Sequence, residues 1–334
     1  MEYKLIKLEK IQDFVNALIA NGKQVLAPKQ KKDKVFFSLI RSFDEIAMDF
    51  IQTAFSAKSA VFPKCEELYS FEKNGKDTIL NNPPAPQHDT VVFGMRPCDG
   101  AAFDYLATFF LKENPDYHFK MRYDKTILIG LTCPTGDEFC FCTSVGISPS
   151  DTRGSDLLLT KTQNGYFVEI ITDKGKKLVE QFSDFFEQTN TIDKTKYTAN
   201  IQKRFDSSAL KEKISGVFNW ERWEETSLPC FGCGTCAFSC PTCTCFDIQD
   251  EANLLGGARY RIWDTCALGI FTKHASGHNP REKQSERWRN RILHKFLYTD
   301  EQFGTLSCVG CGRCIRNCPA ELSIIEQVNA IMEG

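Results

Sequence analysis

Through the first two-thirds of the chain, short β-branched or apolar runs alternate with breaks of Lys, Asp, Pro and Gly. Val25–Pro28, Val35–Leu39, Val91–Met95 and Thr126–Leu131 fit this pattern and predict strands. Leu157–Lys161 and Tyr166–Ile171 flank Thr162–Gly165, and the Asn164-Gly165 pair suits a hairpin turn with positive φ. Phe43–Phe55 and Gly100–Leu111 carry apolar residues at helical spacing. Asn81–Gln87 is predicted to be a loop, because its prolines remove backbone donors and fix φ. Lys176–Gln188 and Ile201–Phe218 read as amphipathic helices closing a first unit, with a boundary in Ser215–Leu228. Farther on, Glu282–Leu297 has neither glycine nor proline and predicts another helix.

Composition sets the scale. With 334 residues and 42% hydrophobic content the chain can bury a full core, and its length predicts two domains, 1–222 and 223–334. The 41 basic and 43 acidic residues nearly cancel, so no bulk charge draws the protein to nucleic acid or to an anionic membrane. The opening MEYKLIKLEK lacks an apolar core segment, and no run approaches the roughly eighteen apolar residues of a membrane span; the expectation is a cytoplasmic protein with no membrane span. Sixteen cysteines in a reducing compartment point to metal or redox chemistry instead of disulfides.

Eight of them fall in two short runs. Cys230, Cys233, Cys236 and Cys240-Pro241 match C-x2-C-x2-C-x3-C-P, and Cys308, Cys311, Cys314 and Cys318-Pro319 repeat the spacing. Three thiolates two residues apart, on a loop kept open by Gly232, Gly234, Gly310 and Gly312, reach three corners of one cubane. In two-cluster ferredoxins the fourth cysteine ligates the other cluster. By that logic one [4Fe–4S] cluster takes Cys230, Cys233, Cys236 and Cys318, and the second takes Cys308, Cys311, Cys314 and Cys240. Structural zinc is the competing reading, but zinc sites favour paired C-x2-C units, unlike this run. The fold expected is α+β: an N-terminal mixed α/β domain followed by a mainly helical ferredoxin-like domain carrying the two clusters.

The insert between the motifs is strongly basic, with nine Lys/Arg against three Asp/Glu over 257–295. Either it docks an acidic partner or it is a solvated face. His274 and His278 are four apart, but Gly277 and Pro280 interrupt the segment, leaving a loop beside a metal role. Cys243, Cys245 and Cys266 line the cluster region or pack there, with an additional metal as the alternative. Cys65 stands alone.

Cys98 follows the VVFGM run, in RPCD, and Cys133 follows ILIGL, so both are placed at strand C-termini, where α/β sheets build sites. Cys140 and Cys142 come shortly after in CPTGDEFCFC. Either these four hold a third iron–sulfur cluster or they are small buried hydrophobes. No dinucleotide or phosphate-binding fingerprint accompanies them.

Taken together, RPCD, CPTGDEFCFC, CFGCGTCAFSCPTCTCFDIQDE, WDTCALGIFTKHASGHNPR and CVGCGRCIRNCP resemble the β subunit of cytoplasmic NiFe sulfhydrogenases. They are similar, more loosely, to the A subunit of anaerobic sulfite reductase. The resemblance runs from about Val91 to the C-terminus. It implies a relay subunit between a flavoprotein that binds FAD and NAD(P) and a catalytic redox subunit of hydrogenase or sulfur/sulfite reductase type. A freestanding ferredoxin-like carrier, or an enzyme with its own site at Arg96, Cys98 and Asp99, are the competing classes.

Overall fold

The computed structural model describes residues 2–334. In chain order the strands are β1 (Glu2–Lys7), β2 (Gln24–Lys31), β3 (Lys34–Leu39), β4 (Cys65–Asn74), β5 (Asp77–Asn81), β6 (Thr90–Met95), β7 (Thr126–Leu131), β8 (Leu157–Lys161), β9 (Gly165–Ile170), β10 (Glu187–Gln188), β11 (Phe246–Ala252) and β12 (Gly256–Trp263). The principal sheet has the order β10-β1-β9-β8-β7-β6-β2-β3, with β2, β6, β7 and β8 parallel to their neighbours in this run. A parallel sheet is covered on both faces, which is why β6 and β7 read as nearly unbroken apolar runs.

One face packs on α1 (Ile11–Ala20), through Phe14, Val15 and Leu18. The other receives α2 (Pro97–Leu111), whose Phe103, Leu106 and Phe110 recur at helical spacing, and α3 (Tyr117–Asp124), through Phe119. Next come α4 (Asp173–Gln181), α5 (Ser207–Ile214) and α6 (Trp223–Ser227). The cysteine-rich part adds α7 (Thr235–Phe238), α8 (Gln284–Leu293), α9 (Thr299–Phe303), α10 (Arg313–Arg316) and α11 (Ile324–Glu333).

The four strands anticipated between Val25 and Leu131 and the β8–β9 hairpin form where expected, as does the helix after RPCD. Phe43–Phe55 does not become a helix and keeps only a short turn over Phe43–Glu45. Its backbone donors go elsewhere: Ala47 N–H to Pro28 O and Ala54 N–H to Val35 O. Lys176–Gln188 is helical only to Gln181; beyond it Phe182, Phe185 and Phe186 surround Phe14, and β10 pairs with β1. Within Ile201–Phe218 the helix begins late, because the Asp206 carboxylate caps Ser208 and Ala209 N–H.

Residues 223–334 are not mainly helical throughout. The insert folds into the β11–β12 hairpin, which extends a second, antiparallel sheet of order β11-β12-β4-β5. Packing thus crosses the 222/223 line, and one apolar core joins Cys98, Ala101 and Phe141 to Trp288, Phe296 and Val309. Part of the charge of the basic insert turns inward, while part of it, including Lys273 and Lys283, is exposed. Arg261 is buried against Glu66 and Asp116, Arg259 pairs with Asp250, and Arg291 and Lys295 are buried among cysteines. Among the described residues no helix is long and apolar enough to cross a membrane.

Candidate metal centres

Each C-x2-C-x2-C run forms a loop that turns into a one-turn helix, α7 or α10, through a glycine with positive φ, Gly234 at 73° and Gly312 at 70°. The second loop buries Cys308 and Cys311, whereas Cys233 of the first is exposed, and each helix carries the chain on to the fourth cysteine. Cys230, Cys233, Cys236 and Cys318 line one small cavity, together with Trp288 and Cys314. Cys318, from the distant motif, therefore faces the three cysteines of the first run. Reciprocally, Cys240 lies close enough to Cys308, Cys311 and Cys314 for its charge to raise all three thiols.

Cys98, Cys133, Cys140 and Cys142 meet in another cavity, together with Gly310 and Cys311. The parallel pairing of β6 with β7 places Cys98 and Cys133 at one sheet edge, and the loop after β7 brings the other two back. This cavity is sealed by close backbone contact. Phe141 N–H donates to Gly310 O at 2.9 Å, and a Cβ on Gly310 would lie 2.5 Å from Cys142 N and Cα. Arg316 reinforces the junction by pairing with Asp137 at 2.6 Å.

The surroundings fit anionic groups. Lys58, Arg291 and Lys295 are each over 95% buried, and among the described residues none forms an ion pair with a carboxylate. An uncompensated buried charge costs several kcal/mol, roughly, so these cations call for negative charge nearby. Burial lowers the Lys58 pKa, opposed by the Cys243 and Cys240 sulfurs. Burial also pushes the Cys308, Cys314 and Cys142 thiols up to about 12 and Cys133 to about 11. Buried thiols of this kind are ionised when metal displaces their protons. Cysteine-ligated iron–sulfur clusters, net negative with their thiolates, satisfy both the cations and the thiols.

Polar donors already address the sulfurs, the contacts through which a protein tunes such clusters. Gln284 Nε2 donates to Cys230 at 3.1 Å, Lys295 Nζ to Cys240 at 3.3 Å, Leu322 N–H to Cys318 at 3.3 Å and Gln52 Nε2 to Cys98 at 3.3 Å. Lys58, Gln52 and Lys295 carry no local motif and were not foreseen; their role follows from position alone. Arg96 and Asp99, the centre of the enzyme alternative, are engaged internally. Arg96 donates to Thr132 O at 3.0 Å and to Phe50 O, and Asp99 pairs with Arg313 at 2.8 Å.

His274 and His278 lie in an exposed turn closed by His274 N–H to His278 O, with rings 5.4 Å apart, as the loop reading expects. Cys65, at the start of β4, is exposed.

Residues 229–322 match the family described as 4Fe-4S dicluster domain. The whole chain is 28% identical to sulfhydrogenase 2 subunit beta of Pyrococcus furiosus, covering 99% of that protein. Over its full length the chain is similar to a sulfhydrogenase β subunit. The dicluster match spans both cysteine motifs and the insert between them, and the full-length similarity takes in the first ninety residues, which the motif resemblance left out. No solved structure gives a significant match. An iron–sulfur, electron-transferring protein is what this combination supports.

Proposed function

We propose that the chain is a relay subunit of a multi-subunit cytoplasmic oxidoreductase, carrying electrons between an FAD/NAD(P)-binding flavoprotein and a catalytic subunit of hydrogenase or sulfur/sulfite reductase type. Three [4Fe–4S] clusters form the path. The first is held by Cys230, Cys233, Cys236 and Cys318, within a helical, ferredoxin-like unit, and the second by Cys308, Cys311, Cys314 and Cys240. The third is held by Cys98, Cys133, Cys140 and Cys142. Such clusters exchange single electrons without making or breaking substrate bonds.

The observation that carries the reading is the contact of the second cysteine loop with the third set. Gly310 and Cys311 line the same cavity as Cys98, Cys133, Cys140 and Cys142, so the first domain continues the line of cysteines begun at Cys230. The side chains of this chain hold the sulfurs, exclude water behind Trp288 and Phe141, and supply compensating charge from Lys58, Arg291 and Lys295.

Iron and acid-labile sulfide analysis of the anaerobically purified chain tests this, at about twelve irons for three cubanes against about eight for two. Cys98→Ala is expected to remove about four irons and one EPR signal while leaving the others. Unchanged iron content in that variant would remove the third cluster from the proposal.

A further inference from the structure

A third cysteine-lined cavity, of about 280 Å³, holds none of the twelve cysteines assigned above. Its thiols are Cys243, Cys245 and Cys266, and its cations are Arg281, Arg291 and Lys295, with His294 beside them. No carboxylate lines it among the described residues. Its volume is close to the lower end of small-molecule pockets, about 300 Å³.

Sheet register brings two of the thiols together. Phe246 pairs with Trp263, and Asp264 N–H donates to Cys245 O at 3.1 Å, continuing the ladder, so Cys266 lies just past the residue facing Cys245. Both thiols face this one cavity, close enough for the charge of Cys266 to act on Cys245.

The cavity wall is built from an irregular element. Where α8 ends, His294–Tyr298 form a π-turn that delivers His294, Lys295 and Tyr298 to the cavity. Such turns are often found at functional sites. Two of the cations also touch the cluster region: Arg291 donates to Cys236 O at 2.9 Å and approaches Cys243 Sγ at 3.6 Å, and Lys295 contacts Cys240 Sγ. A pair of thiols thus sits beside the line of clusters, in a pocket of positive charge.

We propose that Cys245 and Cys266 are a redox-active dithiol that reduces a small, carboxylate-bearing disulfide held by Arg281, Arg291 and Lys295. One protein thiolate attacks a substrate sulfur, forming a mixed disulfide and releasing the first product thiol. The second protein thiol then displaces the other product sulfur. In sum, two protein S–H bonds and one substrate S–S bond become one protein disulfide and two product thiols. Two electrons and two protons restore the dithiol, the electrons coming from a low-potential one-electron donor through the relay, so that turnover, though not the exchange itself, rests on the function proposed above.

The test uses the iron-loaded full chain, anaerobic and without any electron donor, so that the exchange is read apart from the relay. Dithiodiglycolate is added in one arm and neutral bis(hydroxyethyl) disulfide in the other, followed by alkylation and peptide mass mapping. The expected result is a Cys245–Cys266 disulfide with two thiols released per chain. The dianionic probe should react about tenfold faster than the neutral one, and Arg281→Gln should remove that preference. Cys245→Ser and Cys266→Ser should each abolish the protein disulfide and release at most one thiol per chain, stopping at the mixed disulfide, with iron content unchanged. Loss of about four irons in either variant would make these residues cluster ligands and overturn the dithiol. Absence of the cross-linked peptide would overturn it equally, and equal rates for the two probes would overturn the anionic substrate. Iron analysis judges the relay independently of all three.

Discussion

Arg313 and Asp99, 214 residues apart in the chain, form a buried ion pair at 2.8 Å that fastens the second cysteine loop to the first turn of α2. Arg313 also donates to Thr53 O at 2.9 Å and to Thr53 Oγ1 at 2.8 Å, so its guanidinium is held by the segment that declined to become a helix. Removing one partner leaves the other charged and buried, which costs about 3–5 kcal/mol. Asp99→Asn is expected to lower unfolding free energy by that order in denaturant titrations. The double variant Asp99→Asn/Arg313→Met should recover much of the loss, a coupling that a double-mutant cycle reads directly.

Gly310 has φ 62° and no room for a side chain, with backbone atoms of Cys142 at 2.5 Å from any Cβ. On the proposed ligation, Gly310→Ala is therefore expected to lose about eight irons per chain, those of the proposed second and third clusters, because both cysteine sets meet at this contact. Gly304, with similar φ but nothing within 4 Å, is the matched control. Gly304→Ala should keep its iron in the same assay.

Lys295 places its ammonium 3.3 Å from Cys240 Sγ. A nearby positive charge favours the reduced, more negative cluster, so Lys295→Met should lower the potential of the second cluster. The expected fall is on the order of 60 mV, a tenfold change for one electron. Redox titration followed by EPR measures it, with the first cluster as internal reference.

Iron removal should destabilise the cysteine-rich half more than the main sheet. Without clusters, Lys58, Arg291 and Lys295 remain buried with no carboxylate partner among the described residues. Chelation is expected to expose the amides of α7, α8 and α10 to hydrogen exchange, while β6 and β7 stay protected.

Much was legible without coordinates wherever local pattern decides local structure. The C-x2-C-x2-C-x3-C-P spacing, the glycines that bend it and the apolar runs of β6 and β7 each act over a few residues, so the cysteine loops and central strands could be read directly. The helical spacing of Phe43–Phe55 misled, because spacing records only which residues are apolar. The edges of β2 and β3 offered its backbone better partners than its own turns did. The charge excess of the insert was only partly informative, since a count of lysines and arginines cannot say that Arg261, Arg291 and Lys295 point inward.

Position along the chain, then, was enough to single out the two C-x2-C-x2-C-x3-C-P runs as candidate ligands, because cubane geometry demands closely spaced thiolates on a flexible loop. Which cysteines from distant segments share a cavity depended on long-range packing: the pairing of β12 with β4, the seating of Gly310 on Phe141 and Cys142, and the Arg313–Asp99 bond across 214 residues. Those contacts join surfaces whose complementarity exists only after folding. For that reason the gathering of Cys98, Cys133, Cys140 and Cys142, and the pairing of Cys245 with Cys266, were decided by the tertiary structure alone.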